Sequence, residues 1–252
     1  MRSNIQSAVG LRVAITGGTS GLGLALVGEF SARGAPVAFV ARTSSQVEAL
    51  SRALPAAFGI VGDVAKKEDI HRVALQITGN LGGVDVLINN ASSLGPTPLA
   101  LLADTECEDF EAAIATNLLG PFRLTKALLG ALAASAREGG SSIVVNISSD
   151  AAVNPYPQWG AYGATKAALH HMTSIWNEEL VPEGIQLLSI DPGDMDTPLH
   201  ATAVPDADPS TLKRPEAAAR EIVERVLAAM DLQASISRER LEALAAGTGG
   251  LQ

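Results

Sequence analysis

Val13-Ala-Ile-Thr-Gly-Gly-Thr-Ser-Gly-Leu-Gly-Leu-Ala-Leu-Val27 passes from an apolar tetrapeptide through spaced glycines into an apolar helix-forming run. It reads as a strand-turn-helix that takes phosphate. Gly17 frees the backbone for a sharp turn, Gly21 opens a surface that a pyrophosphate can approach, and Gly23 lets the helix pack against the strand. The helix then aims free N–H groups and the positive end of its dipole at the anion. The spacing is Gly-x3-Gly-x-Gly rather than Gly-x-Gly-x2-Gly, so on this stretch alone a glycine-rich β-α turn that binds nothing stays as the lesser reading.

Working outward, short apolar runs of strand length recur along the chain. They are Pro36-Val-Ala-Phe-Val-Ala41, Ala57-Phe-Gly-Ile-Val-Gly62 with Asp63 and Val64 after it, Val84-Asp-Val-Leu-Ile-Asn-Asn-Ala91, Ser142-Ile-Val-Val-Asn-Ile-Ser148, and residues 185–191. Between them the spacing predicts helices over 66–81, 105–136 with Asn117 in its middle, 160–180 and 215–230. Strands alternating with helices, each strand nearly all apolar, predict an α/β fold: a single-domain, Rossmann-like, doubly wound parallel sheet of order 3-2-1-4-5-6. Residues 194–215 are rich in Pro, Asp, Thr and Ala and read as a mobile substrate loop. Residues 245–252 read as a flexible tail.

Residue types at the strand ends point to a ligand. In a doubly wound sheet the end of the second strand meets the adenine ribose, where a carboxylate accepts the 2′-hydroxyl and an arginine accommodates a 2′-phosphate. Ala41-Arg42 offers no carboxylate, which favours NADP(H), with NAD(H) as the alternative. Tyr162 and Lys166 are four apart on a predicted helix and share a face. An ammonium so placed is expected to lower the phenol pKa and fit the tyrosine for acid/base work. Ser149, at the end of the fifth strand, is placed to hydrogen-bond a carbonyl or alkoxide oxygen.

The whole chain sets bounds. Its 252 residues, 47% hydrophobic, suffice for one large core, so 1–252 is expected to be one domain. A net charge of -9 without a basic cluster argues against nucleic acid or an anionic membrane as partner. With no long apolar run and one cysteine, Cys107, the expectation is a cytoplasmic protein with neither disulfide framework nor cysteine metal site. No histidine spacing suggests a metal. His200 reads as an exposed loop residue, with reach to substrate as the alternative; Asp191, Asp194 and Asp196 read as turn and cap carboxylates, with contact to a polar substrate or repulsion of an anionic one as the alternative.

Thr16-Gly17-x3-Gly21-x-Gly23, Asn89-Asn90-Ala91, Asn117, Ser149, Tyr162-x3-Lys166 and Pro192-Gly193-x3-Thr197, in this order, resemble the short-chain dehydrogenase/reductase family over about residues 10–230. The resemblance implies an oxidoreductase that moves hydride between a nicotinamide dinucleotide and a ketone or secondary alcohol. By it Tyr162 is the general acid/base, Lys166 holds the nicotinamide ribose, Ser149 orients the substrate oxygen, and Asn117 anchors a water-linked proton relay. Gly17, Thr19, Ser20, Gly21, Leu22, Gly23, Arg42, Asp63, Val64, Asn90, Ala91, Pro192, Gly193 and Thr197, together with Tyr162 and Lys166, would line the dinucleotide. A homodimer or homotetramer is implied as well. Two departures stand out. The usual Asn-Asn-Ala-Gly ends here in Ser92, expected to tighten a turn near the adenosine ribose. The family's seventh strand is not recognisable after Met230, with residues 240–244 as a shortened substitute, which puts the tetramer interface in question. The competing readings are an NAD-dependent alcohol dehydrogenase and a non-catalytic dinucleotide-binding sensor.

Overall fold

The strands form where the apolar runs lie: β1 (Val13–Thr16), β2 (Val37–Ala41), β3 (Ala57–Val61), β4 (Val86–Asn89), β5 (Ser142–Ile147) and β6 (Ile185–Ile190). The computed structural model describes residues 7–139 and 141–247. All pairings are parallel and the sheet order is β3-β2-β1-β4-β5-β6. Strand order reverses between β1 and β4, where Val13 lies beside both Val37 and Val86. Open α/β sheets place their ligand crevice at such a switch point, beyond the carboxyl ends of the strands.

Because side chains alternate across a strand, each central strand feeds two cores. Val13, Ile15, Val37, Phe39, Val86, Ile88, Ile143 and Val145 point to one face. There they meet α1 (Gly21–Ala32), Val47 of α2 (Ser44–Ala53) and the start of α8 (Pro215–Gly247). Ala14, Ala38, Val40, Leu87 and Val144 point to the other face, under α3 (Lys67–Leu81) and α5 (Gly120–Gly139). Near-complete apolarity of the strands thus follows from burial on both sides. At the amino end of the sheet, Asp85 is clamped by Arg12, whose Nε and Nη2 donate to the carboxylate at 2.9 and 2.8 Å and whose backbone N–H donates at 2.7 Å.

The helix expected over 105–136 is present with an interruption. It comprises α4 (Cys107–Ile114), a π-helical turn (Ala115–Leu119) carrying Asn117, and α5. Such turns often mark functional sites. α6 (Gly160–Leu180) then carries Tyr162 and Lys166.

Three expectations need correction. Residues 194–215 are not a featureless loop: α7 (Pro198–Ala203) forms there, because Pro198 pre-sets the first turn and the Thr197 hydroxyl caps it by accepting from the His200 N–H at 3.2 Å. The last helix does not stop near Met230. It runs to Gly247, so residues 240–244 are helical and the described residues hold no seventh strand. Residues 231–247 are rich in Ala, Leu, Glu and Arg and lack proline and any β-branched run, a composition that favours helix over strand. Of the expected tail, residues 245–247 therefore belong to α8, while 248–252 lie outside the described residues. β6 is left as an edge strand, and the outward N–H of Leu187 is taken by the Asn177 side-chain oxygen at 2.9 Å. Among the described residues no helix is long and apolar enough to cross a membrane.

Candidate active site

The carboxyl ends of β1, β2, β4, β5 and β6 open into one cleft of about 570 Å³. At its amino-side wall, Gly17 has φ 68° and its N–H donates to the Val40 carbonyl at 2.8 Å, turning the chain from β1 into α1. A Cβ at Gly23 would stand 2.0 Å from the Gly17 carbonyl oxygen and 2.5 Å from Asn90 Nδ2, so only glycine fits. The turn is braced from β4. Asn90 Nδ2 donates to the Thr16 and Gly17 carbonyls at 2.9 and 3.3 Å, and Thr16 Oγ1 accepts from the Asn90 and Ala91 N–H groups at 3.0 and 3.1 Å.

Thr19, Ser20, Gly21, Leu22, Gly23, Arg42, Asp63, Val64, Asn90, Ala91, Pro192, Gly193 and Thr197 all border this cleft with Gly17, Tyr162 and Lys166. A tight glycine turn opening a helix, beside a cleft of this length, fits a pyrophosphate and its two nucleosides. Arg42 follows β2 directly and is exposed at the far end, beside Thr43 and Gln46, the latter joined to Thr19 Oγ1 at 3.2 Å. Gln46 and Thr43 carried no sequence signal, because they become cleft residues only once α2 is laid next to the glycine turn.

At the other end stands Tyr162, only 7% exposed and set edge-on to Trp159 with ring centroids 5.6 Å apart. Ser149 and Ser92 line the same cleft. Lys166 is buried one turn on, its Nζ donating to the Ile147 carbonyl at 2.7 Å and lying 5.4 Å from the Tyr162 ring centroid. Asn117, also buried, fills all four of its side-chain hydrogen-bonding positions. Its Oδ1 accepts from the Ser93 N–H at 2.8 Å and the Ser92 hydroxyl at 3.3 Å, and its Nδ2 donates to the Ser93 carbonyl at 2.7 Å and Thr165 Oγ1 at 2.9 Å. It ties the segment after β4 to α6.

The electrostatics reverse one expectation. Burial pushes the Tyr162 phenol up to about 12; the nearby Ser149 and Ser92 hydroxyls pull against this, and the Asp191 and Asp150 charges add to the rise. Burial likewise pulls the Lys166 ammonium down to about 8, with Asp191 opposing. The ammonium does not depress the phenol here because it is directed at the Ile147 carbonyl, with the low-dielectric surroundings outweighing it.

The Ser92 expectation is also overturned. Its hydroxyl donates to Asn117 Oδ1 at 3.3 Å, and Asn117 in turn reaches Thr165 of α6, so Ser92 stands toward the Tyr162–Lys166 helix rather than at the adenosine end. Asp150 escaped the sequence reading altogether. It accepts from the Ser149 hydroxyl at 3.2 Å and from the Tyr156 hydroxyl at 2.6 Å, and no pattern in the chain announces a carboxylate that binds its own neighbour. His200 is half-buried on α7 and borders the cleft instead of standing free. Leu94, Trp159 and Ala203 supply apolar wall around Tyr162, and Leu199 and Val204 border the same cleft.

Comparison with known proteins agrees with this geometry. The chain is 33% identical to serine 3-dehydrogenase of Agrobacterium fabrum over 187 residues, 73% of this chain and 72% of that protein. It superposes on 3-ketoacyl-(acyl-carrier-protein) reductase from Brucella melitensis complexed with NADH with a TM-score of 0.80 at 26% identity, covering 87% of this chain and 92% of that one. On actinorhodin polyketide ketoreductase with NADPH the TM-score is 0.76 at 25% identity, covering 88% and 92%. Residues 12–208, which hold the glycine turn, the Asn117 turn and the Tyr162–Lys166 helix, match the short chain dehydrogenase family, and with the parallel sheet and its cleft they make this chain an oxidoreductase of that family.

Proposed function

We propose that the protein is an NADP(H)-dependent oxidoreductase acting on a ketone or secondary alcohol with an apolar flank, with Tyr162 as its general acid/base. The observation that carries this reading is one buried phenol with a buried lysine a turn away and Ser149 beside it on the same wall, in a cleft that reaches from the apolar wall at Trp159 to Arg42. The dinucleotide, when bound, supplies or accepts the hydride. Gly17, Gly21, Gly23 and the first turn of α1 hold its pyrophosphate, Lys166 its nicotinamide-side ribose, and Thr197 its carboxamide end. Ser149 orients the substrate oxygen. As the carbonyl carbon is reduced, the Tyr162 hydroxyl gives its proton to that oxygen and is reprotonated from solvent; in the oxidative direction the same proton returns. A phenol pushed up to about 12 is protonated at neutral pH, which suits it to donate in the reductive direction.

An arginine without a neighbouring carboxylate at the end of β2 supports NADP(H). The NADH complex of the Brucella melitensis relative keeps NAD(H) as the second reading. We take residues 1–252 as one domain. A homodimer is the assembly the fold supports best, since the seventh strand linked to tetramer formation is absent among the described residues. A single cysteine supports a reducing, cytoplasmic setting. The test is NADPH oxidation, followed by absorbance, against a panel of aliphatic and aryl ketones. Tyr162→Phe removes only the hydroxyl and is expected to lower turnover at least about a hundredfold while dinucleotide affinity is kept. A Tyr162→Phe enzyme that still turns over well would refute the assignment.

A further inference from the structure

Asp150 directly follows Ser149 and takes its proton. A carboxylate can only accept, and Ser149 Oγ lies 3.2 Å from Asp150 Oδ1, so the single hydroxyl proton of the serine is committed to that oxygen. The Ser149 oxygen is itself pinned, because it caps a short helical turn (Asp150–Ala152) by accepting from the Ala151 N–H at 3.2 Å; only its proton is left to turn. The carboxylate is held as well. Its other oxygen, Oδ2, accepts from the Tyr156 hydroxyl at 2.6 Å. Ser149, Asp150 and Tyr156 all border the cleft in which Tyr162 stands. With its proton on Asp150 and one lone pair on the Ala151 N–H, Ser149 offers the cleft a lone pair and no hydrogen. The hydroxyl of a secondary alcohol can donate to such an oxygen, whereas a ketone oxygen carries no hydrogen and is held there only by drawing the proton away from Asp150.

We propose that Asp150 is a positioning residue that makes the site discriminate between the two forms of its substrate: by holding the Ser149 proton it turns Ser149 into an acceptor, which favours the alcohol and disfavours the ketone. The inference rests on the reading of Ser149 as the group that meets the substrate oxygen. Asp150 needs no contact with substrate or dinucleotide to do this. What the ketone gives up is one charge-assisted hydrogen bond. Because Asp150 is exposed and the bond is 3.2 Å long, that bond stands at the weak end of its kind, about tenfold in affinity. The discrimination is one of binding: the equilibrium between ketone and alcohol in solution is untouched, and Asp150 acts only on how tightly each form is held.

Both forms can be titrated at equilibrium, because a ketone does not react beside the oxidised dinucleotide, nor an alcohol beside the reduced one. The probes are cyclohexanone and acetophenone, each paired with its own alcohol, and binding is followed by ligand-observed proton NMR. Asp150→Ala is expected to bind the ketones about tenfold tighter than wild type and the alcohols within about twofold of it. Two further variants separate this from a disturbed loop. Tyr156→Phe breaks the other hydrogen bond of the same carboxylate but leaves Asp150 to Ser149, and is expected to gain no ketone affinity. In a Ser149→Ala background the Asp150→Ala change is expected to have no effect, since the two residues act through one bond. Ketone affinity that does not rise in Asp150→Ala overturns the proposal, as does an equal gain in Tyr156→Phe or in the Ser149→Ala background. If Ser149→Ala alone changes neither affinity, Ser149 does not meet the substrate oxygen, and that reading fails and takes the proposal with it. If instead Tyr162→Phe retains turnover, the acid/base assignment fails while these affinities, measured without turnover, still decide the part played by Asp150.

Discussion

Lys166→Met is expected to make the protein more stable at neutral pH while destroying its activity. The lysine is 2% exposed and its ammonium is pulled down to about 8 from 10.5, almost wholly by burial. Below pH 8 the folded and unfolded states are both protonated, and folding bears the full penalty of burying the charge. A shift of this size corresponds to about 3 kcal/mol. Between about pH 8 and 10.5 the unfolded state binds the proton and the folded state does not, so stability rises with pH across that window and the penalty fades. Against this, methionine cannot donate to the Ile147 carbonyl, which lysine reaches at 2.7 Å, and an unpartnered buried carbonyl costs about 1 kcal/mol. The net gain at pH 7 is then about 2 kcal/mol, or roughly 4 to 8 °C in Tm for a chain of this size. The measurement is urea unfolding of both proteins at pH 7, 8, 9 and 10, taking the difference between the curves so that other titrating groups cancel. Tyr162 does not interfere, because its raised pKa makes stability fall only from about pH 10 upward. The difference should be largest at pH 7 and shrink steadily by pH 10. A variant less stable than wild type at pH 7, or a difference flat with pH, would refute the account of a buried ammonium held at energetic disadvantage for its place in the site.

Arg42→Ala is expected to weaken NADPH binding roughly ten- to a hundredfold and to leave NADH nearly unaffected, since one guanidinium–phosphate pair is at stake. Fluorescence titration of both dinucleotides decides it, and equal weakening would make Arg42 structural. Gly23→Ala should abolish dinucleotide binding with the sheet intact by circular dichroism, because the new Cβ would lie 2.0 Å from the Gly17 carbonyl oxygen. Retained affinity in that variant would mean that the glycine turn is not the pyrophosphate cradle. Arg12→Ala leaves the Asp85 carboxylate, 7% exposed, with only the backbone N–H of residue 12 from its clamp and should cost about 3 kcal/mol in urea unfolding with activity per folded molecule unchanged.

The sheet was legible because its central strands β1, β2, β4 and β5 are buried on both faces and therefore announce themselves as nearly unbroken apolar runs; β1 to β6 all fall inside the runs read from the sequence. The glycine turn was legible for a related reason, since a backbone that must approach Gly17 within bond reach leaves glycine as the only solution at position 23. What was not legible is direction. Spacing of four on a helix places Lys166 beside Tyr162 but does not say that the ammonium reaches for Ile147 instead of the phenol oxygen. Position after β4 likewise gives Ser92 an address in the chain without telling which way its hydroxyl points. α7 escaped because six residues are too few to show a period, and the end of α8 because nothing in its composition marks a stop before Gly247.

The Asn177 side chain that occupies the Leu187 N–H makes the β6 margin end-stopped. A sheet whose last strand offers a bare row of donors and acceptors is a template on which further strands, from another copy or from a misfolded neighbour, can crystallise. Here one amide oxygen interrupts that row in the middle of the strand, so a newcomer would have to dislodge α6 before it found continuous pairing. The β6 margin therefore offers an incoming strand no unbroken row of free groups.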